Sequence, residues 1–195
     1  VAPPAGFPDF GVPWQEQTRI VGRALGHERQ AEELVAGVEA RFAEARAANP
    51  AFAGATAVAA YSFAPSEYGV YGPDDARARF LAALGFALPP EVADLAGDAF
   101  FAPISRERLD LLDADVLVWI LAAEGDRAAL EADPLYARLP VATEGRAIVL
   151  EEDDLLQPAL SFGTVLSLPF ALDRLAPALA AAIDGGPATV ATPAT

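Results

Sequence analysis

The sequence predicts an α/β fold: a Rossmann-like lobe with a parallel sheet made of βα repeats, preceded by a long connecting helix. Three observations carry this. Residues 28–48 hold one apolar stripe at helical spacing. Apolar runs of strand length follow at 55–63, 115–121 and 146–151. Helical patterns separate and follow these runs, and strands alternating with helices argue for a parallel layered sheet.

Taken in order, residues 1–13 are rich in Pro and Gly and read as an extended lead-in. Residues 14–49 form the connecting helical segment. Trp14, Thr18, Val21 and Leu25 share one helical face, and Gly26 interrupts it. Ala31, Leu34, Val35, Val38, Phe42 and Ala45 make the second stripe, stopped by Asn49-Pro50. Residues 50–184 then form the α/β lobe. Its first strand runs into a loop holding Tyr61, Phe63, Tyr68 and Tyr71. A helix over 74–85 takes Asp74 or Asp75 as N-cap and Gly85 just past its end. Phe100 and Phe101 precede a short charged helix that Ser105 would cap, with Glu107 in its first turn. The run "DVLVWIL" reads as a strand covered on both faces, with Trp119 in the core. One or two short helices surround Asp133-Pro134. A last helical stripe runs from Val165 to Ile183, with Pro169 and Pro177 as expected kinks. Residues 185–195 read as a loose tail.

Composition removes several function classes. The net charge is −15, and all 13 basic residues are arginines. Nucleic-acid binding and attraction to an anionic membrane both need basic surfaces, so neither is expected. The absence of Cys excludes disulfides and thiolate metal sites. No apolar run reaches the roughly 18 residues of a membrane span. No secretory leader opens the sequence at Val1, so the chain reads as cytosolic or as a trimmed exported piece. Without Lys there is no phosphate-binding loop of the G-x-x-x-x-G-K type, and no G-x-S-x-G or G-x-G-x-x-G is present. His27 is the single histidine and reads as a surface or cap residue. The acidic run Glu151–Asp154 reads as a solvated loop, with a hard-cation site as the alternative. No metal site and no bound cofactor are expected. The rings of "YSFAPSEYGVY" read as a stacking wall for a bulky ligand.

Three stretches, "PWQEQTRIVGRALG" with the long helix after it, "PISRERLDLLDADVLVW" and "LSFGTVLSLPFALDRLAPALAAAI", together resemble the iron-siderophore substrate-binding proteins of ABC importers. That class also contains haem and vitamin B12 binders. The resemblance covers about Trp14 to Ile183. It implies two lobes joined by a rigid helix, with the ligand in the cleft between them. This chain then corresponds to the connecting helix and the C-terminal lobe, the N-terminal lobe being a missing partner. The resemblance further implies an exported protein, periplasmic or anchored to the cell surface as a lipoprotein, with signal and anchor absent from this chain. Its ligand would be a ferric siderophore whose iron is held by the siderophore and not by the protein. Phe63, Tyr68, Tyr71, Phe100, Phe101 and Phe162 would contact ligand, and Glu107 would dock onto arginines of the ABC permease. Other readings are a small α/β hydrolase or transferase using Glu151–Asp154, and an interaction domain with no ligand.

Overall fold

The computed structural model describes residues 4, 6, 7, 11–64, 67–123 and 125–185. The expected tail beyond 185 and much of the lead-in lie outside these residues. Two helices open the described chain, α1 (Trp14–Leu25) and α2 (Glu28–Ala48). Gly26 separates them in the left-handed region, φ 70°, where a residue without Cβ is unstrained. The helices touch at Gly22: a Cβ there would stand 2.5 Å from the Ala31 Cβ. Gly22 is thus the buried residue of α1, and Val21 and Leu25 of the expected face remain 56% and 66% exposed. Along α2 the stripe Ala31, Val35, Val38 and Phe42 is buried. The Asn49 side-chain amide ends the helix by donating to the Ala45 carbonyl at 2.8 Å.

The sheet has five strands: β1 (Ala57–Ala64), β2 (Glu67–Tyr71), β3 (Phe101–Ile104), β4 (Val116–Leu121) and β5 (Ala147–Leu150), in the order β3-β2-β1-β4-β5. β1, β4 and β5 are parallel. β2 is antiparallel to both its neighbours, so it alone runs against the rest. The fold is α/β as expected, with one correction. The segment expected as an aromatic loop is largely the end of β1 and the whole of β2. A strand containing Gly69 and another containing Pro103 carry weak strand signals, since Gly lacks a side chain to pack and Pro lacks a donor.

Helices cover both faces. On one, α2, α3 (Ala76–Leu84), α7 (Leu156–Phe162) and α8 (Leu168–Ile183) enclose Ala59, Tyr61, Phe80, Ile148 and Leu175. On the other, α4 (Pro90–Ala96), α5 (Asp126–Glu131) and α6 (Pro140–Thr143) enclose Val58, Val92, Leu117, Trp119, Leu130 and Val141. Every residue of β4 is buried, which is why its sequence is continuously apolar. Trp119 is fully buried, and its loss would cost roughly 3–5 kcal/mol. Asp75 caps α3 by accepting from the Arg77 backbone N–H at 2.8 Å, and Gly85 closes it at φ 107°. Pro169 falls in the first turn of α8, and Pro177 lies inside a helix that continues to Ile183.

Candidate functional site

Side chains alternate across a strand, so β1, β2 and β3 send Tyr61, Phe63, Tyr71 and Phe101 to the same side, together with the bare Cα of Gly69. Phe63 stacks on Tyr61 with centroids 4.3 Å apart and planes 18° apart. Phe101 meets Tyr61 edge-on at 5.6 Å, and Phe100 meets Phe101 at 4.6 Å. Tyr61 and Tyr71 lie 5.4 Å apart. The inner rings, Tyr61 and Tyr71, are buried, while Phe63 and Phe101 stay 53% and 38% exposed. The result is an apolar face rigid at its base and open at its rim. Such rings give large contact area with little loss of side-chain freedom.

Arg77 closes one end of this face. Its guanidinium carbon lies 4.0 Å above the Tyr71 ring, a cation–π contact. Nη1 donates to both Asp75 oxygens at 3.1 and 2.9 Å, and Nη2 donates to Ser161 Oγ at 2.6 Å. Among the described residues Nε is buried without a hydrogen-bond partner. Burial pushes the Asp75 carboxyl above the usual aspartate range, against the pull of Arg77. Burial also pushes the Tyr71 hydroxyl up to about 12, so it stays neutral in ordinary solution. Beyond Arg77 opens a cavity of about 510 Å³ lined by Trp14, Arg77, Arg79, Phe100, Ser161 and Phe162. Phe162 is 71% exposed.

The candidates therefore separate. Phe63 and Phe101 pack on Tyr61 in the ring face, Phe100 packs against Phe101, and Phe100 and Phe162 both line the cavity. Tyr71 is the base of the face, shielded by Arg77 and 3% exposed. Tyr68 must be reassigned. It points to the opposite side of the sheet, 5.7 Å from Trp119, and its hydroxyl donates to Asp133 at 3.0 Å. The period of two along β2 puts Tyr68 and Tyr71 on opposite faces. Sequence reasoning missed Tyr61 as the central ring; the spacing Tyr61-x-Phe63 within a strand is the signal that finds it.

Glu107 is exposed on a 3₁₀ helix, Arg106–Leu112, at the end of β3. Ser105 precedes this helix but its hydroxyl makes no capping bond, contrary to the sequence expectation. A tight 3₁₀ turn supplies its own bond here, from the Arg108 N–H to the Ser105 carbonyl at 2.9 Å. Among the described residues Glu107 makes no hydrogen bond or ion pair. The acidic run is partly used: Glu151 accepts from Arg127 at 2.9 Å, and Asp154 accepts from the Leu156 N–H at 2.8 Å at the start of α7. Among the described residues no group of three or more acidic or histidine side chains converges on a metal position. His27 is exposed between α1 and α2.

Against known families, residues 5–153 match the sequence profile described as periplasmic binding protein. The chain belongs to the periplasmic binding protein family. Among solved structures, a periplasmic solute binding protein from Mycobacterium smegmatis is 30% identical, with a TM-score of 0.74 over 88% of this chain and 57% of that one. PiaA from Streptococcus pneumoniae, in complex with ferrichrome, is 24% identical with a TM-score of 0.75, over 91% of this chain and 60% of that one. FhuD2 from Staphylococcus aureus, with bound ferrioxamine B, is 19% identical with a TM-score of 0.74, over 88% of this chain and 66% of that one. The chain thus spans less than two thirds of the length of these periplasmic binding proteins. No curated protein matches its sequence. Among the described residues no helix is long and apolar enough to cross a membrane.

Proposed function

We propose that this chain is the C-terminal lobe of the substrate-binding component of an ABC importer for ferric siderophores. Residues 14–49 would form the segment joining it to a second lobe, and 50–184 the ligand-binding lobe itself. The protein would be exported, periplasmic or held at the cell surface by a lipid anchor. The observation that carries this reading is the open ring face of Phe63, Tyr61 and Phe101. A ferric siderophore is bulky, partly apolar and already saturates its iron, so it asks the protein for flat apolar walls and not for metal ligands. Family membership supports a binding protein over an enzyme, and two structural relatives carry hydroxamate siderophores.

Charge narrows the ligand class. Arg77 and Arg79 line the cavity, the sequence reading sets Arg127 on the same side, and each is committed. Arg77 is held by Asp75, Arg79 by Asp74 at 2.5 Å and the Gly11 carbonyl at 2.7 Å, and Arg127 by Glu131 and Glu151, both at 2.9 Å. A strongly anionic catecholate complex would meet paired arginines in a chain of net charge −15, which disfavours it. A neutral or weakly charged hydroxamate complex meets no such obstacle. Full-length protein titrated with ferric hydroxamate and ferric catecholate complexes, followed by tryptophan fluorescence, should bind the hydroxamate more tightly. Tighter catecholate binding would reverse the charge argument, and binding of neither would remove the siderophore reading.

A further inference from the structure

Glu107 sits between two arginines, Arg106 and Arg108, yet pairs with neither. Each neighbour is drawn away by a different acid. Arg108 lies 3.7 Å from Asp110, an exposed and loose pair. Arg106 is held far more firmly. Its Nε and Nη2 donate to the two oxygens of Asp133 at 3.1 and 3.0 Å, a bidentate fork. Asp133 is a built acceptor. Its side chain is 3% exposed, and it also takes the Tyr68 hydroxyl at 3.0 Å and the Leu135 backbone N–H at 2.9 Å. Four donors on two oxygens leave this carboxylate fully used. The Arg106 bond is the chief cause holding its carboxyl below the usual aspartate range.

The position of the fork matters because the local backbone is weakly restrained. Ser105 supplies no cap, and Arg108 leaves helical geometry at φ −107°, ψ 22°. A 3₁₀ turn has poorer hydrogen bonds than an α-helix. Leu109, Leu111 and Leu112 bury the later part of this turn in the core; at its start the side-chain tie is the fork, through Asp133 to Tyr68 of β2. The same fork commits the Arg106 guanidinium to Asp133, on the side away from the Glu107 carboxylate.

We propose that Asp133 and Arg106 are positioning residues that present Glu107, fixed and unpaired, to a cationic partner surface. This rests on the reading of Glu107 as the contact to permease arginines. The geometry adds a buried acid, far away in sequence, whose work is to keep Arg106 off the docking carboxylate. Loss of the Asp133 charge should release Arg106 toward Glu107; loss of the Arg106 charge should loosen the turn without releasing a further cation, Arg108 staying as it is beside Asp110.

The test is a double-mutant cycle in the full-length protein, reading its dissociation constant for the permease–ATPase complex in nanodiscs and its ligand affinity in parallel. Asp133→Asn should weaken docking about three- to ten-fold and leave ligand affinity unchanged. In a Glu107→Gln background the same substitution should have no further effect. Arg106→Gln, whose side chain is half exposed and whose loss the fold should tolerate, should weaken docking less than Asp133→Asn, again only when Glu107 is present. Equal losses in both backgrounds would mean that the fork acts independently of Glu107, and the proposal fails. Normal docking by Asp133→Asn and Arg106→Gln, with Glu107→Gln impaired, would remove the clamp and keep the docking carboxylate. Normal docking by Glu107→Gln would remove both.

Discussion

The ring of Tyr61 occupies the space that a side chain at position 69 would need. A Cβ built on Gly69 would stand 2.1 Å from Tyr61 Cζ and Oη. Glycine on β2 is therefore the reason Tyr61 can lie across the neighbouring strand and carry Phe63 on its outer side. Gly69→Ala should force the Tyr61 ring to move and destabilise the lobe by about 1–3 kcal/mol. Denaturant unfolding measures the loss, and near-ultraviolet circular dichroism should show the ring stack disturbed. A variant as stable as the parent with an unchanged aromatic spectrum would mean that Tyr61 does not rest there.

The two faces of the sheet separate binding from stability. Phe63→Ala and Phe101→Ala remove half-exposed rings. In the full-length protein each should weaken siderophore binding about ten-fold, or ~1.4 kcal/mol, with little change in unfolding. Tyr68→Phe should do the opposite. It removes a buried donor to a charged acceptor, a bond worth roughly 1.5–3 kcal/mol, and should leave ligand affinity alone. If Tyr68→Phe weakened binding as much as Phe63→Ala, the binding face would lie on the other side of the sheet.

Acid should unlock the Arg106–Asp133 fork. The folded-state pKa of Asp133 lies below the ordinary value of 3.8. For a depressed carboxyl, the native state binds fewer protons than the unfolded one. Its contribution is therefore complete above about pH 4 and is lost as pH falls through the folded-state value. The stability difference between the parent and Asp133→Asn should be constant from neutral pH to about pH 5 and shrink below pH 4. A difference that grew on acidification would contradict the direction of the shift.

How legible this was from sequence varies with the kind of signal. The stripe of α2, the cap Asp75 with Gly85, and the wholly apolar β4 are patterns in which local preference and tertiary packing agree, and the sequence-based expectations locate them closely. β2 and β3 were hidden because each carries a residue that weakens strand propensity for a tertiary reason. Gly69 clears room for a ring from β1, and Pro103 stands at the edge of the sheet. The ring face was half visible: its aromatics are plain in "YSFAPSEYGVY", but which of them share a side depends on reading a strand where composition suggests a loop. The role of Asp133 was not visible at all, since it joins residues 27 and 65 positions away and no local period links them.

Pro103 has one more consequence. It stands opposite Gly69 on β3, which among the described residues has β2 as its one sheet neighbour. The bond from the Gly72 N–H to the Phe100 carbonyl at 2.8 Å sets the alternation of the ladder, so the backbone nitrogen of residue 103 faces outward. A foreign strand seeking to extend the sheet would meet a missing rung in the middle of a four-residue strand. The flank that adjoins the ring face is thus protected against fibre-like stacking by its own backbone chemistry, without help from surface charge.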